Sequence, residues 1–322
     1  MKRDGWQNEP VKVGISACLM GDAVRYDGGH KHDRFLTDTL GQYVEYVKVC
    51  PEVECGLPVP RESMHLTGDA KSPRLVTVRT NIDHTERMVS WAKRRVKELE
   101  NEGLCGFIFK SGSPSSGMER VKVYNEKGIP GNNGVGMFAG IFMEHFPLIP
   151  VEEEGRLHDP VLRENFIVRI FTLKHWREVI KESRSLGNIV SYHTKNKLLI
   201  LSHSEVHYRK MGSLVAKGKG VPIKELYNEY ETLLMDALKL KTTRSKNCNV
   251  LQHILGYFKK ELTSDEKQEL LDIILDYQNG FIPLIVPITL INHYVRKYGQ
   301  PYLKEQTYLN PHPMNLKLRN HV

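Results

Sequence analysis

The sequence has 322 residues, 40% hydrophobic and 26% charged, with a formal net charge of +8. That balance excludes fibrous and disordered chains, and the length suffices for one large core or two smaller ones. No run approaches the ~18 apolar residues of a membrane span. The opening "MKRDGWQNEP" has neither the apolar centre nor the cleavage site of a secretory signal, so the expected compartment is the cytoplasm, where the five cysteines stay reduced.

Over residues 11–150, short apolar runs alternate with helical patterns. "VKVGISA", "YVEYVKVC", "RLVTVRT" and "CGFIFKS" read as strands. "DRFLTDTLGQYV", "HTERMVSWAKRRVKELENEG" and "VGMFAGIFMEHFP" read as helices, the second closed by Gly103 and the third stopped by Pro147. Such alternation predicts an α/β domain with a Rossmann-like parallel sheet. Ligands in such sheets bind outside the carboxyl ends of the strands. Cys18 and Cys50 each follow a predicted strand, so they can share one crevice. Cys55 lies five residues beyond Cys50, in the irregular segment "CPEVECGLPVPR".

The spacing Cys50-x4-Cys55 matches no compact zinc or ferredoxin run, so these cysteines fit metal binding, catalysis or burial. Cys105 opens its strand and stands about 16 Å from Lys110 at ~3.3 Å per residue. It reads as a buried structural thiol on the far side of the sheet. Cys248, with no thiol near it in sequence, reads the same way.

The charged "VEEEGRLHDPVLRENF" looks like a join. Residues 1–152 are expected to form the first domain, 153–196 a linker with connecting helices, and 197–322 an all-α domain. Its helices read as "NKLLILSHSEVHYRKMGSLVAKG", "PIKELYNEYETLLMDALKL", "NCNVLQHILGYFKKEL", "SDEKQELLDIILDYQNG" and "PLIVPITLINHYVRKYG". Ser264 is the expected cap of the fourth, without a full capping box, and Gly280 closes it. Pro287 should kink the fifth or split it in two.

This half carries 18 Lys and Arg against 12 Asp and Glu from residue 197 onward. The cations cluster as Arg209 with Lys210, Lys241 with Arg244 and Lys246, Lys259 with Lys260, and Arg296 with Lys297. His207, Tyr208, His293 and Tyr294 are interleaved with them. Cations that track phosphates beside rings that stack on bases suit RNA. The competing reading is a solvated helical surface with core tyrosines.

The segments "ISACLMGDAVRYDGGHK", "VCPEVECGLPVPRE", "PRLVTVRT" and "FKSGSPSSGMERVKVY" resemble the thiouracil and 4-thiouridine desulfurases, or desulfidases, over about residues 11–150. "HSEVHYRKMG", "NVLQHILGY", "PLIVPITLINHYVRKY" and "YLNPHPMNLKLRN" resemble the helical domain of formerly unknown function often fused to them. The arrangement looks like that of the tRNA 4-thiouridine desulfidases. The resemblance implies a [4Fe–4S] cluster held by three cysteines, release of sulfide, and tRNA as partner.

Cys18 and Cys50 match two of the family's ligands. The third ends the family motif "SPSC", and here that position is Ser116, so Cys55 is taken as the replacement thiolate by its place near the same crevice. The family's catalytic glutamate and serine match Glu52 and Ser113. Arg25, Tyr26, Asp27 and Gly28 are expected to read the ring and sugar. Arg61 and Lys110 are expected to contact phosphate or a ring carbonyl, or else to form structural ion pairs. Ser111 and Ser116 complete the substrate side. The alternatives are a desulfurase of free thiouracil and an RNA-binding protein whose first domain has lost its cluster.

Overall fold

The computed structural model describes residues 10–321. The opening stretch read for a secretory signal lies outside the described residues, apart from Pro10. The chain divides into two compact units, Met1–Asp159 and Pro160–Val322. Among the described residues, no helix is long and apolar enough to cross a membrane.

The first unit is α/β. Its strands are β1 (Val11–Ser16), β2 (Val44–Val49), β3 (Met64–Thr67), β4 (Arg74–Thr77), β5 (Gly106–Phe109), β6 (Val121–Tyr124), β7 (Pro130–Gly134) and β8 (Val151–Glu153). β2, β1, β5 and β8 form a parallel sheet in that order, with Val11 opposite Val44, Val13 opposite Gly106 and Phe107 opposite Val151. "RLVTVRT" does not join it. It forms β4, antiparallel to β3, in a second sheet of order β4-β3-β6-β7. The reason is length: residues 68–73 are too few for a parallel crossover, which needs a dozen or more.

The helices of this unit are α1 (Pro51–Glu54), α2 (Thr85–Leu99) and α3 (Met137–His145). The predicted helix "DRFLTDTLGQYV" is present but not α-helical: it winds as a π-helix over Phe35–Thr39 and as a 3-10 helix over Leu40–Gln42. α2 and α3 pack on β5 through Trp91, Phe138 and Phe142. Alternation along β5 turns Phe107 and Phe109 to that side, stacked at 4.3 Å, and Phe107 meets Phe142 at 4.7 Å. This aromatic core anchors the strand from which residues 110–116 emerge.

The second unit is helical: α4 (Pro160–Glu182), α5 (Leu186–His203), α6 (Glu205–Ala216), α7 (Ile223–Lys239), α8 (Arg244–Tyr257), α9 (Ser264–Asn279), α10 (Ile285–Lys297) and α11 (Pro301–Lys304). The stretch 153–196 holds β8's last residue, α4 and the first half of α5, and the division between units falls after Asp159. Trp176 centres the core, with the rings of Tyr192, Tyr227 and Tyr230 at 5.1, 5.2 and 4.9 Å.

Three helix ends differ from expectation. "NKLLILSHSEVHYRKMGSLVAKG" is broken at Ser204, whose hydroxyl caps α6 by accepting from His207 N at 3.3 Å. The cap of α9 is Thr263, not Ser264, and it makes a full capping box with Glu266. Pro287 falls in the first turn of α10, where backbone N–H groups have no intrahelical partner, so it starts the helix without kinking it. Gly280 closes α9 in the left-handed conformation, as expected.

Candidate active site

β2, β1 and β5 are parallel neighbours, so the segments leaving them meet at one edge of the sheet. Cys18 sits in the 3-10 turn Ala17–Met20 after β1. Cys50, after β2, is the extended N-cap residue of α1, which opens with Pro51. The turn 110–116 follows β5. Together they enclose a cavity of about 280 Å³ lined by Cys18, Cys50, Glu52, Ser113 and Ser116. Arg25, Tyr26, Arg61, Lys110 and Ser111 also face it.

Glu52 is held from both sides. Arg61 donates Nε to Oε2 at 2.9 Å and brings Nη2 onto the same oxygen. Ser115 Oγ donates to Oε1 at 2.9 Å. The Arg61 and Glu52 side chains are only 5% and 15% exposed, so the pair is screened little by water. Nη2 of Arg61 also donates to Val24 O at 3.0 Å. Arg61 is therefore the clamp of a carboxylate, and of the two readings open for it the structural ion pair is the one present.

Lys110 is engaged in the same way. Its Nζ lies 2.6 Å from Glu154 Oε1 and donates to Ser111 O at 2.8 Å. Ser111 returns two bonds to Glu154, from N at 2.7 Å and from Oγ at 2.8 Å. Lys110 N donates to the buried Ser16 Oγ at 3.0 Å, which ties the turn to β1. Of the two readings open for Lys110, the structural ion pair is present, on the cavity wall.

The three cysteines separate. Burial pushes the Cys18 thiol up to about 11; Lys110 opposes this and Cys50 adds to it. Burial also raises Cys50. Cys55 is not part of the lining. Its thiol donates to Glu52 O at 3.2 Å and packs against the core; burial raises it, opposed most by the charge of Arg87 of α2. The turn of α1 rotates it away from the crevice, so the expected third thiol is not brought together with Cys18 and Cys50. The third side is the hydroxyl of Ser116, 4% exposed. Among the described residues, no group of three His, Cys, Asp or Glu side chains assembles as a metal site. Two soft thiols and one hydroxyl around a cavity of this size fit an iron–sulfur group at two strong positions and one weak one.

Asp27 and Gly28 fall outside the lining. They form a turn in which Asp27 Oδ1 accepts from Gly29 N at 3.0 Å, and Gly28 takes φ +77°, which only glycine adopts freely. Arg25 lies over the Tyr26 ring at 5.5 Å and meets Asp27 at 3.5 Å, so the turn steers the two residues that do face the cavity.

The serine turn also caps α3. Met137 N donates to Pro114 O at 3.1 Å, and Phe138 N and Ala139 N donate to Ser115 O at 2.9 and 3.2 Å. Gly136 permits the approach: a Cβ there would lie 2.7 Å from Gly117 N. Sequence reasoning assigned no role to Ser115, Ser16 or Glu154. Ser115 stood inside the quoted "SPSSG", and Glu154 inside "VEEEG", read as a join.

In the helical unit the nine expected cations divide. Arg209 pairs with Glu205 and Lys297 with Glu266, both at 2.6 Å, and Lys246 donates to His203 O and Lys241 O. Lys210, Lys241, Arg244, Lys259, Lys260 and Arg296 are exposed and form no ion pair among the described residues. Tyr294 is 2% exposed and bonded to Glu269, so it is core and not a stacking platform.

An α/β unit with a thiol-bearing polar cavity at its strand ends is followed by an all-helical unit, which defines a two-domain protein. Residues 13–154 match the family described as 2-thiouracil desulfurase, and residues 197–313 match one described as a protein of unknown function (DUF1722). The uncharacterized protein YbgA of Escherichia coli (strain K12) is 31% identical over 158 residues, spanning 49% of this chain and 94% of that relative. A solved structure of a [4Fe-4S]-dependent thiouracil desulfidase, TudS, is 31% identical, with a TM-score of 0.39 over 46% of this chain and 94% of that one. The chain belongs to the family of the YbgA relative and carries, in residues 13–154, a domain of the 2-thiouracil desulfurase family.

Proposed function

We propose that this protein removes sulfur from 4-thiouridine in tRNA, leaving uridine and releasing sulfide, with an iron–sulfur cluster held by Cys18 and Cys50. The observation that carries the reading is one cavity, in a desulfurase-family domain, lined by two thiols and by a carboxylate fixed between Arg61 and Ser115. The net reaction is hydrolytic: water oxygen bonds to ring C4, the C–S bond breaks, and sulfur departs as hydrosulfide without redox change. A bound cluster would supply a thiophilic Lewis acid for the departing sulfur.

The chain's own residues do the rest. Glu52 accepts the proton of the attacking water, because its carboxylate opens on the cavity and Arg61 and Ser115 hold its orientation. Ser113 lies on the same rim. Arg25 and Tyr26 face the ring, and Lys110, fixed by Glu154, presents a cation beside Cys18. Six of the nine expected cations of the helical unit form no ion pair among the described residues, which supports an RNA partner, because a polyanion is bound by cations not already satisfied internally. A second reading, action on free thiouracil, is favoured by the description of the matched family.

The test is anaerobic reconstitution followed by sulfide release from 4-thiouridine-containing tRNA and from free 2- and 4-thiouracil. Faster turnover per iron on the tRNA supports the first reading. Turnover on the free bases alone selects the second, and no turnover with a full cluster removes both.

A further inference from the structure

Glu52 and Ser113 share the cavity, yet no hydrogen bond joins them among the described residues; they are joined through Ser115. Ser115 Oγ lies 2.9 Å from Glu52 Oε1 and 3.0 Å from Ser113 Oγ. The protons in this chain have one consistent order. A carboxylate only accepts, so the single proton of Ser115 goes to Glu52. Ser113 Oγ already accepts from Ser115 N at 3.3 Å and Ser116 N at 3.1 Å, which occupies its two lone pairs. Its own proton is therefore the one that lies between Ser113 and Ser115. Arg61 occupies Oε2, so Oε1 is the oxygen left to receive the chain.

From this we propose that Ser115 is a positioning residue that activates Ser113. Through Ser115, the Glu52 carboxylate draws on the Ser113 hydroxyl proton, while two backbone N–H groups stabilise negative charge growing on Ser113 Oγ. Ser115 is 1% exposed and acts through its neighbours. The proposal rests on the desulfurase reading for its catalytic consequence, but not for the activation itself. A turn residue that only shaped the backbone would keep Ser113 in place without altering its reactivity.

The test uses the full chain and phenylmethylsulfonyl fluoride. Ser113 Oγ bonds to sulfur, the S–F bond breaks, fluoride leaves, and the hydroxyl proton passes along the chain to Glu52. Peptide mass spectrometry reads the adduct. Ser113 should be labelled in the wild type and at least about tenfold more slowly in Ser115→Ala. Glu52→Gln, which keeps the shape and removes the charge, carries the same expectation should Ser115→Ala fail to fold.

In parallel, thiouracil turnover at equal iron content should fall ~10²–10⁴-fold in kcat for Ser115→Ala with KM unchanged. Ser113→Ala/Ser115→Ala should lose far less than the product of the two single losses, since both cut one chain, although Ser115 also helps to orient Glu52. A wild type that labels at Ser113 but releases no sulfide removes the desulfurase reading and leaves the activation intact. A wild type that does not label at Ser113, variants that label as fast as it does, or a double variant whose loss is the product of the two singles would overturn the proposal.

Discussion

Arg61 directs two guanidinium nitrogens at a single oxygen of Glu52, leaving the other oxygen to Ser115. The pair is almost dry, with side chains 5% and 15% exposed. Removing one partner of such a pair leaves a buried charge uncompensated, which costs about 3–5 kcal/mol. Arg61→Met should therefore lower stability by that order in urea unfolding. It should also lower desulfuration at least ~10²-fold, because the carboxylate loses its orientation. Wild-type turnover in a folded Arg61→Met protein would show that the orientation of Glu52 does not matter.

The cysteines give a sharper pattern than their spacing does. Cys18→Ala and Cys50→Ala should each abolish bound iron and sulfide after reconstitution, because both thiols line the cavity. Cys55→Ala should retain it, along with Cys105→Ala and Cys248→Ala, since Cys55 is turned to the core and the other two are buried. Ser116→Cys should slow loss of iron in air, because a thiolate replaces a hard oxygen at the third side. Iron and acid-labile sulfide per chain are the measurement. Loss of iron in Cys55→Ala would mean that α1 turns when the cluster binds.

For the helical unit, the six of the nine expected cations that form no ion pair among the described residues set the expectation. Replacing Lys259, Lys260 or Arg296 by Ala should lower the slope of log K against log[salt] for tRNA by roughly one unit per phosphate contact removed. Arg209→Ala and Lys297→Ala should change it less, because each cation is already paired with a carboxylate. Equal slopes across all five variants would make the basic face ordinary solvated surface.

Three buried histidines tie this unit to pH. Burial holds His193 and His203 down to about 4 and His312 down to about 3. His203 Nδ1 meets Leu240 O at 2.7 Å, and Lys246, Arg169 and Arg319 further disfavour its charge. The unfolded chain, with histidines near 6.5, binds more protons below that pH. The stability from keeping them neutral is complete above about 6.5 and is lost as pH falls toward 4, at about 1.4 kcal/mol per pH unit for each histidine. Urea midpoints measured from pH 7 to 4.5 should drop steeply, and His203→Gln should flatten the drop. A flat profile in the wild type would contradict the buried neutral state.

Strand-end placement made the meeting of Cys18 and Cys50 legible, because parallel neighbours put their carboxyl ends on one edge. Cys55 was misplaced because five residues of separation say nothing about which way a turn of helix points a thiol. For Arg61 and Lys110 the sequence left a phosphate contact and a structural ion pair both open; their carboxylate partners stand 9 and 44 residues away in sequence, and only the fold brings them together. Ser115 escaped notice for the same reason, since its significance is a bond to Glu52 across 63 positions. The helices were legible by periodicity, but the cap at Thr263 needed its reciprocal partner Glu266 to be counted from the right residue.

The serine turn that carries Ser113 and Ser115 also satisfies the first amides of α3, and α3 is buried against the phenylalanine cluster of β5. The turn cannot swing aside without stripping those amides of their acceptors, so the wall of the cavity is a fixture and not a flap. On the Arg25–Tyr26 side the lining is open to solvent, with Tyr26 42% exposed against 1% and 4% for Ser115 and Ser116. In hydrogen exchange, Phe138 and Ala139 should accordingly behave as core amides, released only when the whole domain opens, although they sit beside the wall of an open cavity.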